Sequence, residues 1–165
     1  MEMDTLQELF VEELKDLYSA EAQLLKAMPK MVKKAKHPEL KKAIETHMRE
    51  TEGHIQRLDQ VFQNLGEKSK GKKCLAMEGL VNEAKEHMSE EMDADVMDAA
   101  LIGMAQKIEH YEIAGYGTAR TYAKLLGNKE VQRMLQQTLD EEGKTDKLLT
   151  QLAESSININ AVQPG

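Results

Sequence analysis

Cysteine is nearly missing from this chain: Cys74 stands alone among 165 residues, so no internal disulfide framework and no Cys-x-x-Cys site can be built. There is no tryptophan, aromatics reach only 4%, and three prolines and ten glycines leave long stretches unbroken, a composition that favours helix. No apolar run is long enough to span a membrane. The opening Met1-Glu2-Met3-Asp4 carries acids where a secretory signal would carry a basic segment. Together with the lone cysteine, this predicts a cytoplasmic protein. An excess of positive charge is also lacking. The net charge of −7 argues against a nucleic-acid or anionic-membrane footprint, and the basic run Lys68 to Lys73 reads as a solvated linker.

What is present is helical periodicity. With 41% hydrophobic and 31% charged residues, the chain has the balance of one globular domain over residues 1–165. Four long helices are expected at about 4–36, 38–65, 93–126 and 129–155, with a short one at about 74–88. The first carries the stripe Phe10, Leu14, Leu17, Glu21, Leu24, Met28, Met31, Ala35, with a kink at Pro29. The second carries Leu40, Ile44, His47, Thr51, His54, Leu58, Val61, Leu65. Pro38 and Glu39 suit its first turn. The short helix is assigned to Leu75, Leu80, Val81 and Ala84. The next long helix carries Leu101, Ala105, Ile108, Glu112, Gly115, Ala119, Tyr122, Leu126. The last carries Val131, Leu135, Thr138 or Leu139, Glu142, Thr145 or Asp146, Leu149, Leu152. Residues 155–165 lack periodicity and read as an arm over a neighbour or a loose tail.

Each long helix is interrupted at its midpoint by polar residues on the core stripe. In an antiparallel bundle such midpoints lie in one plane, so the interruptions should meet. The inventory is Glu21, His47, Glu50, His54, Glu109, Glu112, Glu142 and Asp146. Glu109 lies one turn before Glu112 on nearly the same face, and Glu50 is placed to converge with His47 and His54. An ionised carboxylate in an apolar interior costs several kcal/mol unless compensated, and a cation is the obvious compensation. Carboxylate oxygen with imidazole nitrogen suits iron or manganese at a two-metal centre. Ligand type alone does not exclude zinc, whereas calcium would want more carbonyl and loop character. Taken singly, Glu50, Glu109 or Asp146 has the alternative of facing water at a helix edge, and either histidine that of a hydrogen-bonded structural role. His110 falls off the stripe and is read as surface, the methionines and Cys74 as packing. Tyr18 and Tyr116 lie one turn from Glu21 and Glu112, placed either to donate hydrogen bonds to them or to pack. A weak internal echo at an offset of 91 residues puts Glu21 on Glu112 and Glu50 on Glu141, suggesting two helical hairpins of similar plan.

The segments Leu17-Tyr18-Ser19-Ala20-Glu21-Ala22-Gln23-Leu24-Leu25, Cys74-Leu75-Ala76-Met77-Glu78-Gly79-Leu80 and Glu109 to Gly117 resemble the bacterial YciE/YciF stress-response family of the ferritin-like superfamily. The resemblance implies an all-α, ferritin-like four-helix bundle of the up-down kind, with a long crossover containing the short fifth helix. It also implies that the second and fourth bundle partners across that crossover run parallel. Within the superfamily, the rubrerythrin-type ligand pattern is matched in order by Glu21, Glu50, Glu109 with Glu112, and Glu142. The histidines depart from it. Gly53 stands where Glu-x-x-His would place a histidine after Glu50, with His54 one residue on and His47 three before Glu50. After Glu142 come Thr145 and Asp146. The rubredoxin-type cysteines are also missing, and with them an internal electron donor.

The expected function is a stress-associated metalloprotein with a di-iron or manganese site, its chemistry being metal redox with O2 or peroxide. The alternative is a non-catalytic structural or partner-binding bundle whose acidic centre is vestigial. Apolar residues of the short helix, with Ile157, Ile159 and Val162 in the tail, exceed what one bundle needs and predict a homodimer. An additional protein partner is left open.

Overall fold

The computed structural model describes residues 3–165; Met1 and Glu2, where the acidic opening begins, lie outside the described residues. The helices are α1 Leu6–Lys34, α2 Pro38–Leu65, α3 Leu75–Ser89, α4 Ala94–Leu125, α5 Lys129–Leu152 and a short α6 Asn158–Val162. Local chemistry sets most boundaries. Thr5 and Glu8 form a reciprocal capping box at the start of α1. Pro38 opens α2, and Asp93 and Asn128 cap α4 and α5 through their side chains. Gly66 and Gly127 take positive φ at the turns that follow α2 and α4, a conformation open to glycine at no steric cost. α1 runs on through Pro29 to Lys34.

Two contacts fix the direction of the bundle. The buried Asp98 near the start of α4 accepts hydrogen bonds from the backbone N–H groups of Lys36 (2.7 Å) and His37 (2.9 Å) in the α1–α2 turn. At the far end, Asn128 in the α4–α5 turn donates to Asn64 at the end of α2 (2.8 Å). α2 and α4 therefore start at the same end and run parallel, with α1 and α5 antiparallel to them. α1 packs on α2 and α4, and α5 packs on the same two, so parallel helices sit diagonally. Residues 66–93 return along the bundle, and their helix α3 lies against α1 and α4. This is the ferritin-like plan with a long crossover.

The predicted stripes of α1 and α2 are buried almost throughout, and α5 resolves its alternatives in favour of Thr138 and Thr145. Three assignments change. On α4 the buried line after Glu112 is Tyr116, Ala119, Ala123, while Leu126 is exposed, because the steps of four, three and four residues keep facing α1 and α5. Gly115 instead lies against Leu17, whose methyl would stand 2.7 Å from an added Cβ. On α3 the buried residues are Met77, Val81, Ala84 and Met88 beside Cys74, and Leu75 points to solvent. The tail is ordered as far as Val162. Ala153–Ile157 forms a π-helical turn that carries α5 into α6, α6 packs on α4, and Ile157 is buried in the chain's own core. Ile159 and Val162 remain exposed.

The apolar core has two parts. One gathers Leu24, Met28, Ile44, Ile108 and Leu149 at one end; the other gathers Leu14, Leu17, Leu58, Tyr116 and Leu135 at the opposite end. Between them, on all four long helices, lies a polar layer.

Candidate metal centre

That layer is built by helical register. On α1, Glu21 follows Leu17 and precedes Leu24; on α2, His47, Thr51 and His54 lie between Ile44 and Leu58. α4 supplies Glu109 and Glu112 between Ile108 and Tyr116, and α5 supplies Thr138, Glu142 and Thr145 between Leu135 and Leu149. The steps of three and four residues that bury the apolar neighbours bury these too. Glu21, His54, Glu112 and Glu142 have no accessible surface, and Glu109 almost none.

Two groups of potential ligand atoms share Glu142: His47, Glu109, Glu112 and Glu142 in one, Glu21, His54 and Glu142 in the other. Within each, the candidate atoms lie within 4.8 Å of one another, close to the span of two metal–ligand bonds of about 2.1 Å. His54 Nδ1 faces Glu142 at 3.0 Å and Glu21 at 3.3 Å. His47 Nε2 lies 2.5 Å from Glu109 Oε1, yet without the alignment that a ring N–H hydrogen bond requires. Tyr116 donates to Glu21 Oε1 at 2.7 Å, whereas Tyr18 packs edge-on against Phe62. Both oxygens of Glu112 and of Glu142, one of Glu21 and one of Glu109 are buried without a hydrogen-bond partner. Native interiors rarely leave so many acceptors unsatisfied, each at a cost of about 1–3 kcal/mol.

Two predicted residues lie apart from these groups. Glu50, half-buried, accepts from Thr145 Oγ1 (3.1 Å) and stands 3.7 Å from His47 Nδ1. Asp146 pairs with the exposed His110 at 3.3 Å and with Gln106 on the outer side of the α4–α5 seam. Thr145, not Asp146, takes the buried position. Sequence reading missed Arg57 and Glu141, which meet His54 from outside: Glu141 Oε2 lies 2.8 Å from His54 Nε2, and Arg57 holds both Glu141 oxygens at 3.2 Å. The echo that sets Glu50 on Glu141 contained that signal, since each glutamate flanks one of the two histidines.

Electrostatics match this crowding. Burial, then the charges of Glu142 and Glu21, push Glu112 well above the usual carboxylate range. Burial and Glu142 likewise raise Glu109, against the pull of His47. Burial raises Glu21 as well, opposed by His54 and Tyr116. Burial would also raise Glu142, but the close approach of Glu109 and His54 overcomes it and holds it at about 2. Burial works against a charged His54, yet contacts with Glu142 and Glu21 prevail and lift it to about 10. His47 rises in the same way through Glu109 and Glu50. The layer thus carries four buried carboxyl groups against two imidazoles, and protons partly make up the difference. Two divalent cations bound by four carboxylates and two neutral imidazoles would balance the charge and occupy the orphaned oxygens. The donor set fits such ions.

Fold and site define a class: a helical bundle with a crossover and a carboxylate–imidazole centre buried at mid-length. Residues 5–162 match the family described as Domain of unknown function (DUF892). The chain is 44% identical to Protein YciF of Escherichia coli (strain K12), over 98% of both chains. It belongs to the YciF-like DUF892 family, as the sequence resemblance implied. The crystal structure of the E. coli stress protein YciF superposes with a TM-score of 0.90, covering 99% of this chain and 100% of that one. YcfI, a suggested structural protein from Rhodopseudomonas palustris, matches at 0.88 with 42% identity, covering 90% of this chain and 95% of its own. A Xanthomonas campestris pv. campestris protein shares the fold at 0.76 and 22% identity, over 96% and 97% of the two chains. Among the described residues no helix is long and apolar enough to cross a membrane.

Proposed function

We propose that this chain is a cytoplasmic, stress-associated metalloprotein whose mid-bundle layer binds a pair of iron or manganese ions. The observation that carries the reading is the set of buried, unpartnered oxygens on Glu21, Glu109, Glu112 and Glu142, four converging carboxyl groups whose crowded charge a cation would compensate. Glu21, His54 and Glu142 would hold one ion, and His47, Glu109, Glu112 and Glu142 the other, with Glu142 common to both. Bound there, the ions would supply electron exchange with O2 or peroxide. The protein excludes water with apolar plugs on both sides, fixes Glu21 through Tyr116, and keeps protons on the imidazoles until they are displaced. The stress association rests on the similarity to the E. coli protein, and the compartment on the free, buried Cys74.

The test is metal content. Protein purified without chelators and protein loaded anaerobically with Fe(II) are analysed for iron, manganese and zinc per chain. About two ions per chain supports the proposal; consistent absence after loading overturns it. One observation favours a second reading, a non-catalytic structural or partner-binding bundle: the His54 contacts with Glu142 and Glu21, and the His47 contact with Glu109, already neutralise part of the layer. The description of YcfI as a suggested structural protein points the same way.

A further inference from the structure

We infer that Glu141, clamped by Arg57, is the positioning residue that turns His54 so its Nδ1 faces the space between Glu21 and Glu142. The inference rests on the reading of that layer as a cation site. Glu141 and Glu142 are consecutive on α5, so their side chains diverge by about 100°: Glu142 points inward, and Glu141 lies at the α2–α5 seam with 29% of its side chain exposed. Arg57 lies one turn beyond His54 on α2. Its Nη1 and Nη2 each reach a different Glu141 oxygen at 3.2 Å, and Nη1 also donates to Thr138 Oγ1 at 2.6 Å. The carboxylate is therefore held from α2. Its Oε2 takes the outer ring nitrogen, Nε2, of the fully buried His54 at 2.8 Å. With Nε2 engaged, Nδ1 is left on the inner side, at 3.0 Å from Glu142 and 3.3 Å from Glu21.

His47 lacks the equivalent anchor. Its Nδ1 stands 3.7 Å from Glu50, beyond hydrogen-bond range, and Glu50 is engaged by Thr145 instead. The two imidazoles are thus unequal: His54 is a prearranged donor and His47 an adjustable one. A carboxylate behind a ligating imidazole fixes its tautomer and orientation, and losing it typically weakens metal affinity by about 10–100-fold.

The test compares wild type, Glu141→Ala and Glu141→Gln. Long-range 1H–15N spectra of the metal-free proteins report the imidazoles, and Mn(II) titrations report affinity. In wild type the His54 Nε2 proton should exchange slowly with solvent. In Glu141→Ala that protection should vanish while the His47 signals stay in place, and one bound Mn(II) equivalent should weaken about 10–100-fold. Glu141→Gln, whose amide oxygen can still accept from Nε2–H, should restore the protection and most of the affinity. Unchanged His54 ring signals and Mn(II) affinity in Glu141→Ala overturn the inference alone. Wild-type protein that takes up neither Mn(II) nor Fe(II) removes the cation site, and the inference with it.

Discussion

Glu112, like Glu142, has two buried oxygens and no hydrogen-bond partner for either. Without metal, burial and the charges of Glu142 and Glu21 push its carboxyl well above the usual range. Replacing a buried ionisable group by an apolar one of similar volume is often stabilising by about 1–4 kcal/mol. Glu112→Leu should therefore raise the metal-free melting temperature by roughly 2–8 °C, taking 1–2 kcal/mol at about 2–4 °C per kcal/mol for a chain of this size. The same variant should lose the stabilisation that Fe(II) or Mn(II) gives wild type, about 2.7 kcal/mol at a hundredfold excess over Kd. Melts of both proteins, with and without ion, provide the four values. Equal shifts in both pairs would make Glu112 a packing residue. Titration of the neighbours gives a pH dependence. His54 has a folded pKa of about 10 against 6.5, so its stabilising contribution is complete below 6.5 and is lost as pH rises towards 10. Glu109 and Glu112, also raised, lose theirs as pH climbs above the ordinary 4.5. Glu142, lowered from 4.5 to about 2, contributes above 4.5 and loses its share as pH falls to 2. Metal-free protein should thus melt highest near pH 4.5 and progressively lower as pH climbs to 9. Melts in chelator across pH 3 to 10 check this, and a maximum at pH 9 would contradict it.

The elements are joined by polar contacts that periodicity does not reveal. Asp98 is buried because its carboxylate satisfies two backbone donors of the α1–α2 turn, tying the start of α4 to the start of α2. That link fixes α2 and α4 as parallel. Asp98→Ala should cost about 2–3 kcal/mol by leaving both N–H groups without their charged acceptor, and Asp98→Asn about half as much. Urea midpoints at unchanged m-value measure it, and loss below 0.5 kcal/mol would mean that solvent replaces the cap. Cys74 also acts at an element end. Its thiol caps α3 by accepting from Met77 N–H (3.3 Å) and lies 3.0 Å from Tyr111 Oη. Tyr111 in turn donates to Asp16, so the crossover is fastened to α1 and α4 by one small polar cluster. The π-helical turn at Ala153–Ile157 rotates the chain beyond α5, so that Ile157 enters the core while Ile159 and Val162 face out.

At the scale of the whole molecule, Leu75 of the short helix and Ile159 and Val162 of the tail remain exposed, and a homodimer is proposed on them, with the buried Ile157 no longer part of the argument. Sedimentation should give a two-subunit species; a 24-subunit cage or a monomer at micromolar concentration would overturn it. The sequence by itself determined the helices, their order and the polar layer. Steps of three and four residues bury one face whatever the tertiary context, and a glutamate on such a face, as at Glu21, Glu112 or Glu142, must be inside with its neighbours. The short links at His37 and Gly127 likewise left only antiparallel hairpins. Tertiary structure decided what depends on facing partners. Thr145 rather than Asp146 lines the layer, because one helical step separates the buried face of α5 from its flank. Glu50 stands aside, because Thr145 on α5 offers it a hydrogen bond. Arg57 and Glu141 join the centre, because α2 and α5 are neighbours and bring two half-exposed side chains against the outer edge of His54. Hydrophobic period records which face of a helix is buried; which hydrogen bonds a polar residue finds there is set by the helix packed opposite.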